Sequence, residues 1–338
     1  RAHAAGLNAA RRAGVAVMGG LSDGVDAALE SADVVIDGLV GIGARPPLRE
    51  TAADLVTAAN DAPGRRVAID VPSGVDPDTG WAPGPAFRAD LTVALGGRTT
   101  GLLVSAAAGE VRLAGIGMGT DGIDVDTEAL TSDDARRLLP RPDARSNKYT
   151  LGATGIVAGS ARYPGAAVLA VGGAVAARPG LVRYAGHGAQ AVIQRWPEVI
   201  VTDDVGQAGQ VQAWVAGPGM GTDGAALKAL RDVLATSVPV LVDADGLTLL
   251  AAQPWLLAER AARGAATVLT PHEGEFARLF PDLDPAGPGG RVAAARSAAA
   301  LSGAVVLLKG FSTVVADPSG TVYVNLSGSP SLATARSG

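Results

Sequence analysis

Short runs of apolar residues alternate with alanine-rich stretches along almost the whole chain. Such runs are typical of strands buried on both faces, and the stretches between them have helical periodicity. Strands joined through helices form parallel sheets with right-handed crossovers, so the pattern predicts an α/β fold with sheets covered on both faces. The predicted strands are residues 34–38, 67–71, 91–95, 154–158, 181–184, 213–216, 238–242, 267–269 and 305–308, and the predicted helices are residues 51–60, 165–177, 223–236, 247–263 and 291–301.

The alternation breaks once, between about residues 119 and 149, where the sequence becomes polar and acidic. We interpret residues 119–145 as a linker with one short helix. The linker divides the chain into a first α/β unit, residues 1–118, and a second, residues 146–338. The length of 338 residues fits two domains, because a single core seldom grows beyond ~250–300 residues.

Composition narrows the classes of function. Aromatic residues make up only 4% of the chain, so its cores consist mainly of Ala, Val and Leu. The net charge of −5 argues against non-specific binding of nucleic acid, which needs a basic surface. The chain has no cysteine, which excludes disulfides and thiolate metal sites and fits the reducing cytoplasm.

The sequence predicts neither a membrane segment nor a signal peptide. The central uncharged apolar stretch, residues 163–177, is shorter than the ~20 residues that a transmembrane helix needs. The first residues form a basic amphipathic pattern without the apolar core of a signal peptide. We therefore expect a cytoplasmic protein without a membrane or nucleic-acid partner, and a homo-oligomer is compatible with the sequence.

In the first unit, two carboxylates directly follow predicted strands. Asp37 leads into the glycine-rich residues 41–47, and Asp70 leads into residues 71–74. Ligands of open parallel sheets bind at the carboxyl ends of strands, and turn glycines let backbone N–H groups approach an anion. The two aspartates therefore favour a cation and phosphate site, with capping of the turns as the alternative.

In the second unit, a GPGMG turn at residues 217–221 joins a strand to a helix, an arrangement that binds anions in many proteins. The alternative is that these glycines serve only the geometry of a tight turn. Asp243 and Asp245 follow the next strand, where they could bind a metal or a hydroxyl group, or where Asp245 could cap a helix.

The segment TPHEGE, residues 270–275, follows another strand. Thr270, Pro271 and Glu273 match a capping box, with Thr270 as the N-cap. This interpretation leaves His272 without a structural role, so we predict that His272 contacts ligand.

Lys309 is one of only three lysines, and it follows the strand at 305–308 directly. A lysine at a strand end before a glycine suits a contact to phosphate. The alternative is a surface lysine at a hairpin whose returning strand covers residues 314–318.

Taken together, these motifs resemble a known family. The ribokinase-like NAD(P)H-hydrate dehydratase domain is resembled by YPGAAVLA (163–170), GPGMG (217–221), VLVDADGL (240–247), TPHEGEFARL (270–279), LLKGFSTVV (307–315) and PSLATARSG (330–338). VVIDGLVGIGARPPL (34–48) and VAIDVPSGVDPDTG (67–80) resemble the NAD(P)H-hydrate epimerase domain fused ahead of it in bacteria. The resemblance implies a partial Rossmann-like epimerase domain followed by a ribokinase-like α/β domain.

The implied activity is repair of NADHX and NADPHX, the forms of NADH and NADPH that carry water on the nicotinamide ring. The epimerase domain interconverts the two hydrate epimers. The dehydratase domain phosphorylates the ring hydroxyl with ADP or ATP in the presence of Mg²⁺, and loss of phosphate restores the double bond.

The resemblance also assigns residues. It implies that Asp37 and Ser73 bind K⁺, and that Gly41, Ile42, Gly43, Ala44, Arg45, Pro46, Pro47 and Asp70 bind the hydrate in the first unit. It implies hydrate contacts at Ala166, Gly219 and His272 in the second unit, and nucleotide contacts at Lys309, Gly310, Phe311, Ser312, Thr313 and Gly338. The catalytic aspartate of the family is expected after Gly338.

Several positions depart from the family pattern. The family's Asn-Gly-Gly-Asp loop is expected before Arg1. Thr99-Thr100 replaces a Lys-Pro pair of the family, and Arg178-Pro179-Gly180 replaces its usual Gly-Ala-Gly. Arg336 replaces a glycine of the last motif. We therefore expect a chain shortened at both ends that is nearly inactive in both reactions but still binds nucleotide. The alternatives are a ribokinase-like kinase for hydroxymethylpyrimidine or hydroxyethylthiazole, and a non-catalytic nucleotide-binding fragment.

Overall fold

The computed structural model describes residues 3–20, 23–119, 122–123, 125–139, 141–148 and 150–328. It separates the chain into two compact units, Arg1–Ile123 and Asp124–Gly338. Each unit contains a sheet of its own. Among the described residues, no helix is long and apolar enough to cross a membrane.

The first unit contains a four-stranded sheet in the order β1-β2-β3-β4, with every neighbouring pair parallel. The strands are β1 (Val34–Asp37), β2 (Arg65–Ile69), β3 (Leu91–Leu95) and β4 (Glu110–Ala114). The helices are α1 (Ala4–Arg12), α2 (Asp23–Ser31), α3 (Glu50–Asp61) and α4 (Thr100–Val104). The prediction missed β4 because this edge strand alternates charged and apolar residues.

One face of this sheet carries the core of the unit. Ala68 of β2 packs with Val56 of α3 and with Phe87, all of them buried. On the opposite face of β1, the side chains of Val34 and Ile36 are 51% and 66% exposed. We predicted sheets covered on both faces, but the described residues leave this face of β1 uncovered.

The second unit contains a ten-stranded sheet in the order β5-β14-β13-β12-β11-β10-β9-β6-β7-β8. Only β13 runs antiparallel to its neighbours. The strands are β5 (Glu128–Leu130), β6 (Ala153–Val157), β7 (Leu181–Ala185), β8 (Ile200–Thr202), β9 (Ala213–Ala216), β10 (Val240–Val242), β11 (Thr267–Leu269), β12 (Val305–Leu308), β13 (Thr313–Ala316) and β14 (Val322–Asn325).

The helices of the second unit lie mainly in the connections between these strands. They are α5 (Ser132–Leu138), α6 (Pro164–Ala176), α7 (Ala189–Arg195), α8 (Gly224–Leu234), α9 (Asp245–Ala252), α10 (Trp255–Ala262), α11 (Glu273–Leu279) and α12 (Gly290–Ser302). The helix predicted at 247–263 is divided between α9 and α10 at Gln253-Pro254, because proline cannot continue a helical hydrogen-bond ladder. Strand β5, within the segment predicted as linker, pairs with β14.

The chain order reverses at the centre of this sheet, between β6 and β9. From β6 the chain proceeds to β7 and β8 on one side, and from β9 it proceeds to β10, β11 and β12 on the other. Connections that leave in opposite directions open a crevice at the carboxyl ends of the two central strands, which is where open α/β sheets bind ligands.

A glycine and a tryptophan face each other across this central pair of strands. Gly155 of β6 is in register with Trp214 of β9, which is buried. A Cβ atom at position 155 would lie 2.3 Å from indole Cε3, so only glycine fits beside this ring.

Arg260 of α10 is fully buried. Its guanidinium donates hydrogen bonds of 2.6–2.9 Å to the hydroxyl of Thr267 and to four backbone carbonyls, those of Leu234, Thr236, Val238 and Ala266. It thereby supplies donors to the partly buried carbonyls of Thr236 and Val238, in the turn between α8 and β10.

Candidate functional site

In the first unit, Asp37 and Ser73 lie in direct contact. The Asp37 carboxylate accepts hydrogen bonds of 2.7 Å from both the backbone N–H and the hydroxyl of Ser73, and both residues are buried. It also accepts one of 3.2 Å from the Leu39 N–H, which is the turn capping considered as an alternative. The pair supplies carboxylate and hydroxyl oxygens at one point, a donor set that suits a hard cation.

Asp70 joins the glycine-rich loop to the end of β2. Its Oδ2 accepts a hydrogen bond of 2.9 Å from the backbone N–H of Ile42, and its own backbone has a φ of 71°. The loop also contains an ion pair of 3.0 Å between Arg45 and Asp78, both exposed. The structure therefore brings Gly41 and Ile42 to Asp70 at the end of β2, whereas the described residues Gly43, Ala44 and Arg45 make no hydrogen bond to Asp70. Pro46-Pro47 ends the loop with a cis peptide bond.

We expect Asp37→Ala to lower the free energy of unfolding of the first unit by about 2–3 kcal/mol, because it leaves buried donors of Ser73 without an acceptor. Urea titration followed by circular dichroism would measure the loss. Asp78→Ala removes a carboxylate from an exposed ion pair and should change stability by less than ~0.5 kcal/mol. Equal effects of the two substitutions would show that the buried contacts between Asp37 and Ser73 do not stabilise the first unit.

In the second unit, the turns after β6 and β9 form the two sides of the crevice. The Gly159 N–H donates a hydrogen bond of 2.7 Å to the Pro218 carbonyl and so ties one turn to the other. Gly219 has a φ of 62°, and a Cβ atom there would lie 2.5 Å from the Cβ of Ala166 at the start of α6. Glycine is therefore required at 219, and the two predicted hydrate contacts, Ala166 and Gly219, adjoin each other.

A cavity of about 870 Å³ opens at this point. It is lined by residues from four different connections between strands, namely Ala166, Gly219, His272 and Lys309. The apolar side chains of α6 form one wall, and the aspartates after β10 contribute the polar wall. The complete lining is Tyr163, Ala166, Leu169, Ala170, Gly173, Pro218, Gly219, Asp243, Ala244, Asp245, His272, Glu275 and Lys309.

His272 has a structural role that the sequence interpretation assigned to Thr270. It is the N-cap of α11: its Nδ1 accepts the N–H groups of Gly274 (3.0 Å) and Glu275 (3.3 Å), and the Glu275 carboxylate accepts the His272 N–H (2.9 Å). The capping box predicted with Thr270 and Glu273 is therefore wrong. The Thr270 hydroxyl and N–H both bond to the Val242 carbonyl of β10, so Thr270 belongs to the end of the strand.

This cap also determines what His272 can do chemically. Because Nδ1 is an acceptor, the proton of the neutral ring is on Nε2, which lies 3.4 Å from Glu275 Oε1. The side chain is 55% exposed at the cavity. Neutral His272 can thus donate a hydrogen bond to a ligand from Nε2 but has no free nitrogen with which to accept a proton.

The cap and the ligand contact can be separated by substitution. We expect His272→Ala to lose about 1 kcal/mol of stability with the cap, whereas His272→Asn, a good N-cap, should keep most of it. Both should weaken hydrate binding, because neither has a donor at the position of Nε2. Thermal unfolding and KM for the hydrate check the two effects, and full hydrate affinity in His272→Asn would exclude the contact.

Lys309 lies between two acidic side chains. Its Nζ is 2.8 Å from Asp243 Oδ1 and 4.0 Å from Glu275 Oε2, and its side chain is only 22% exposed. The hairpin considered as an alternative does exist, since β12 and β13 are antiparallel, but Lys309 is an enclosed ion-pair partner within it.

The residues after Lys309 form the turn into β13. Arg291, at the start of α12, donates hydrogen bonds to the backbone carbonyls of Lys309 (2.8 Å) and Ser312 (3.3 Å) and forms an ion pair with Glu273. Ser312 is buried and Phe311 is 48% exposed, while Gly310 accepts a hydrogen bond from the Thr313 hydroxyl at 3.2 Å. Gly338 and Arg336 lie outside the described residues.

Four residues of the site were missed by the sequence interpretation or left without a role. Glu275 joins His272 to Lys309, Arg291 holds the turn, and Tyr163 lines the cavity. Asp245 does not cap α9 but accepts the Gly221 N–H at 2.9 Å. The spacing of His272 and Glu275 was a usable signal, because it too fits a capping box. No group of three or more metal-binding side chains occurs among the described residues.

Comparison with known families matches both units. The family model for NAD(P)H-hydrate dehydratase matches residues 154–338, and the model for the YjeF-related protein N-terminus matches residues 1–101.

Two curated relatives share about half of their aligned residues with this chain. A bifunctional NAD(P)H-hydrate repair enzyme from Mycobacterium tuberculosis (strain ATCC 25618 / H37Rv) is 49% identical over 93% of the chain, and one from Mycobacterium leprae (strain TN) is 48% identical over 100% of it. The chain spans 64% of the length of the first relative and 68% of the second.

Solved structures match about three fifths of the chain. An ADP/ATP-dependent NAD(P)H-hydrate dehydratase from Bacillus subtilis, co-crystallised with ATP/Mg²⁺, has a TM-score of 0.51 and 28% identity and covers 61% of this chain and 75% of its own. A ribokinase-like superfamily protein from Enterococcus faecalis V583 has a TM-score of 0.53 and 21% identity. It covers 64% of this chain and 77% of its own, and so shares the fold.

Proposed function

Because the chain belongs to the family of bifunctional NAD(P)H-hydrate repair enzymes, we propose that it repairs NADHX and NADPHX. The first unit interconverts the hydrate epimers. The second unit dehydrates the hydrate with ADP or ATP. The kinase alternative is not favoured, because the first unit matches the epimerase-type N-terminal family.

One observation carries this proposal for the second unit. Ala166, Gly219 and His272, expected to contact the hydrate, line the same cavity as Lys309, expected to contact nucleotide phosphate. Phosphoryl transfer depends mainly on positioning and on stabilisation of charge, so it needs the two groups together. A shared cavity of about 870 Å³ supports direct transfer from nucleotide to hydrate.

The residues of the cavity suit distinct parts of this reaction. The apolar wall of α6 suits the face of the nicotinamide ring, and His272 Nε2–H suits an oxygen of the hydrate. Lys309, enclosed by its ion pairs, supplies positive charge to the transferred phosphoryl group. Phosphorylation turns the ring hydroxyl into a good leaving group, and departure of phosphate restores the double bond.

Two cations complete the proposal. Mg²⁺ binds proteins through one or two carboxylates together with substrate phosphates, and Asp243 and Asp245 provide two carboxylates on the same wall. When bound, Mg²⁺ neutralises phosphate charge. In the first unit, the contacting oxygens of Asp37 and Ser73 suit K⁺. We propose that the repair takes place in the cytoplasm, because the substrates derive from reduced nicotinamide nucleotides and the chain has no cysteine.

The test is incubation of NADHX or NADPHX and ADP or ATP with a form of the chain extended through the loop expected before Arg1 and the aspartate expected after Gly338, following recovery of nicotinamide absorbance. The 338-residue chain, expected to be nearly inactive, is the comparison. We expect recovery that depends on nucleotide and is lost without Mg²⁺. Epimerisation is followed separately by chromatography of the two epimers without nucleotide. Absence of recovery with every combination of hydrate and nucleotide would contradict the dehydratase assignment.

A further inference from the structure

A second cavity, of about 680 Å³, adjoins the first at the same end of the sheet. Tyr163 and Asp245 line both cavities. The first extends from these two residues toward Lys309 after β12, and the second extends in the other direction toward the ends of β7 and β8. Its volume lies within the ~300–1,000 Å³ of small-molecule sites, so a long ligand could occupy both.

The second cavity holds two polar side chains without a polar contact of their own. Among the described residues, His187 and Asp203, both exposed, have neither a hydrogen-bond nor an ion-pair partner, whereas the Arg162 guanidinium lies 5.2 Å from the centre of the Tyr163 ring. The neighbouring acids are occupied: Asp223 caps α8 through the Ala226 N–H, and Asp204 accepts the Gln207 N–H. Asp203 therefore has both oxygens available to a ligand.

The charge of this lining selects the kind of group that fits. Five aspartates line it, against the two cations Arg162 and Lys228, and Lys228 is already paired with Asp232 at 2.6 Å. Hydroxyl groups can donate to such carboxylates, whereas the net excess of three negative charges opposes a further phosphate even with Arg162 present. The cavity therefore suits a neutral, hydroxyl-bearing part of a ligand.

We propose, on the basis of the proposed function, that the second cavity holds the adenosine half of the dinucleotide whose nicotinamide end occupies the first. Asp203 accepts hydrogen bonds from the ribose hydroxyls, as acidic residues at strand ends do in other dinucleotide sites. NADPHX carries a phosphate on this ribose, where NADHX carries a hydroxyl. The site therefore favours NADHX over NADPHX.

The test measures binding of NADH and NADPH, which share these adenosine halves, through nicotinamide fluorescence with the nucleotide site saturated by ADP. We expect NADH to bind at least about tenfold more tightly than NADPH, since juxtaposed like charges oppose binding. Asp203→Arg should reverse the preference. The control is Glu259→Arg, which makes the same change of charge at an exposed position on α10 that lines neither cavity.

The outcomes separate this inference from the proposed function. Equal affinities for NADH and NADPH, or a preference that Asp203→Arg leaves unchanged, would overturn the assignment of the second cavity whatever the turnover. A preference that Glu259→Arg alters as much as Asp203→Arg would also overturn it. Selective binding without recovery of nicotinamide absorbance from either hydrate would instead contradict the dehydratase function and leave the cavity assignment standing.

Discussion

Lys309→Ala is expected to lower the nucleotide-dependent rate of dehydration by about 10²- to 10³-fold, the usual effect of removing one preorganised group from developing transition-state charge. Lys309 is the one lysine of the phosphate segment, and it is held between Asp243 and Glu275. Its loss also leaves the largely buried carboxylates of Asp243 and Glu275 without the ammonium group that faces them. The measurement is kcat/KM for ADP and ATP at saturating hydrate, in the form extended through the aspartate expected after Gly338.

Two further variants test whether the positive charge at position 309 is responsible for this effect. Lys309→Arg keeps the charge, so it should retain more activity than Lys309→Ala, although the planar guanidinium is held differently. Arg195→Ala removes a positive charge from an exposed position on α7 and should leave the rate unchanged. An unchanged kcat/KM in a folded Lys309→Ala protein would show that the nucleotide phosphates bind elsewhere.

Arg260→Ala is expected to destabilise the second unit by about 3–5 kcal/mol, because it empties the space of a fully buried side chain and removes its five hydrogen bonds, two of them the donors to the Thr236 and Val238 carbonyls. Burial lowers the pKa of the Arg260 guanidinium, and the nearby Arg263 lowers it further. Arginine still remains protonated, since its ordinary value is so high. The substitution thus removes a charged donor from the turn between α8 and β10. Urea unfolding followed by circular dichroism would measure the loss.

Arg263 provides the matched control, because it donates only one hydrogen bond, of 2.8 Å, to the Leu234 carbonyl and its side chain is exposed. Arg263→Ala should cost about 1 kcal/mol or less. Arg260→Lys should recover part of the stability, since an ammonium has three donors where five are used. A loss for Arg260→Ala no larger than for Arg263→Ala would show that water satisfies the carbonyls.

The sequence was sufficient for the fold class where strands are continuous apolar runs. The predicted bounds of β3, β9, β11 and β12 agree with the observed ones, because inner strands of a covered sheet are mostly apolar. Thr92 and Thr267 are the buried polar exceptions. β4 and β5 were missed because edge strands need bury only some of their side chains, and each begins with glutamate.

The sequence predicted those residues of the site that directly follow a strand. Parallel topology carries Asp243, His272 and Lys309 to one edge of the sheet, so their meeting in one cavity follows from their positions after strands. The cap of α11 did not follow, because Glu273 and Glu275 allow two registers of the same motif. The choice depends on the carbonyl of β10 that Thr270 bonds, a tertiary contact that no local pattern contains.

The contact between Gly155 and Trp214 has an optical consequence. It buries an indole between the two strands from which the crevice opens, while Trp255 is 43% exposed on α10. Emission from a buried indole depends on its immediate packing, so Trp214 is an intrinsic reporter of the spacing between β6 and β9. A blue-shifted component of the tryptophan spectrum that responds to hydrate or nucleotide would let ligand-induced movement at the centre of the sheet be followed without any label.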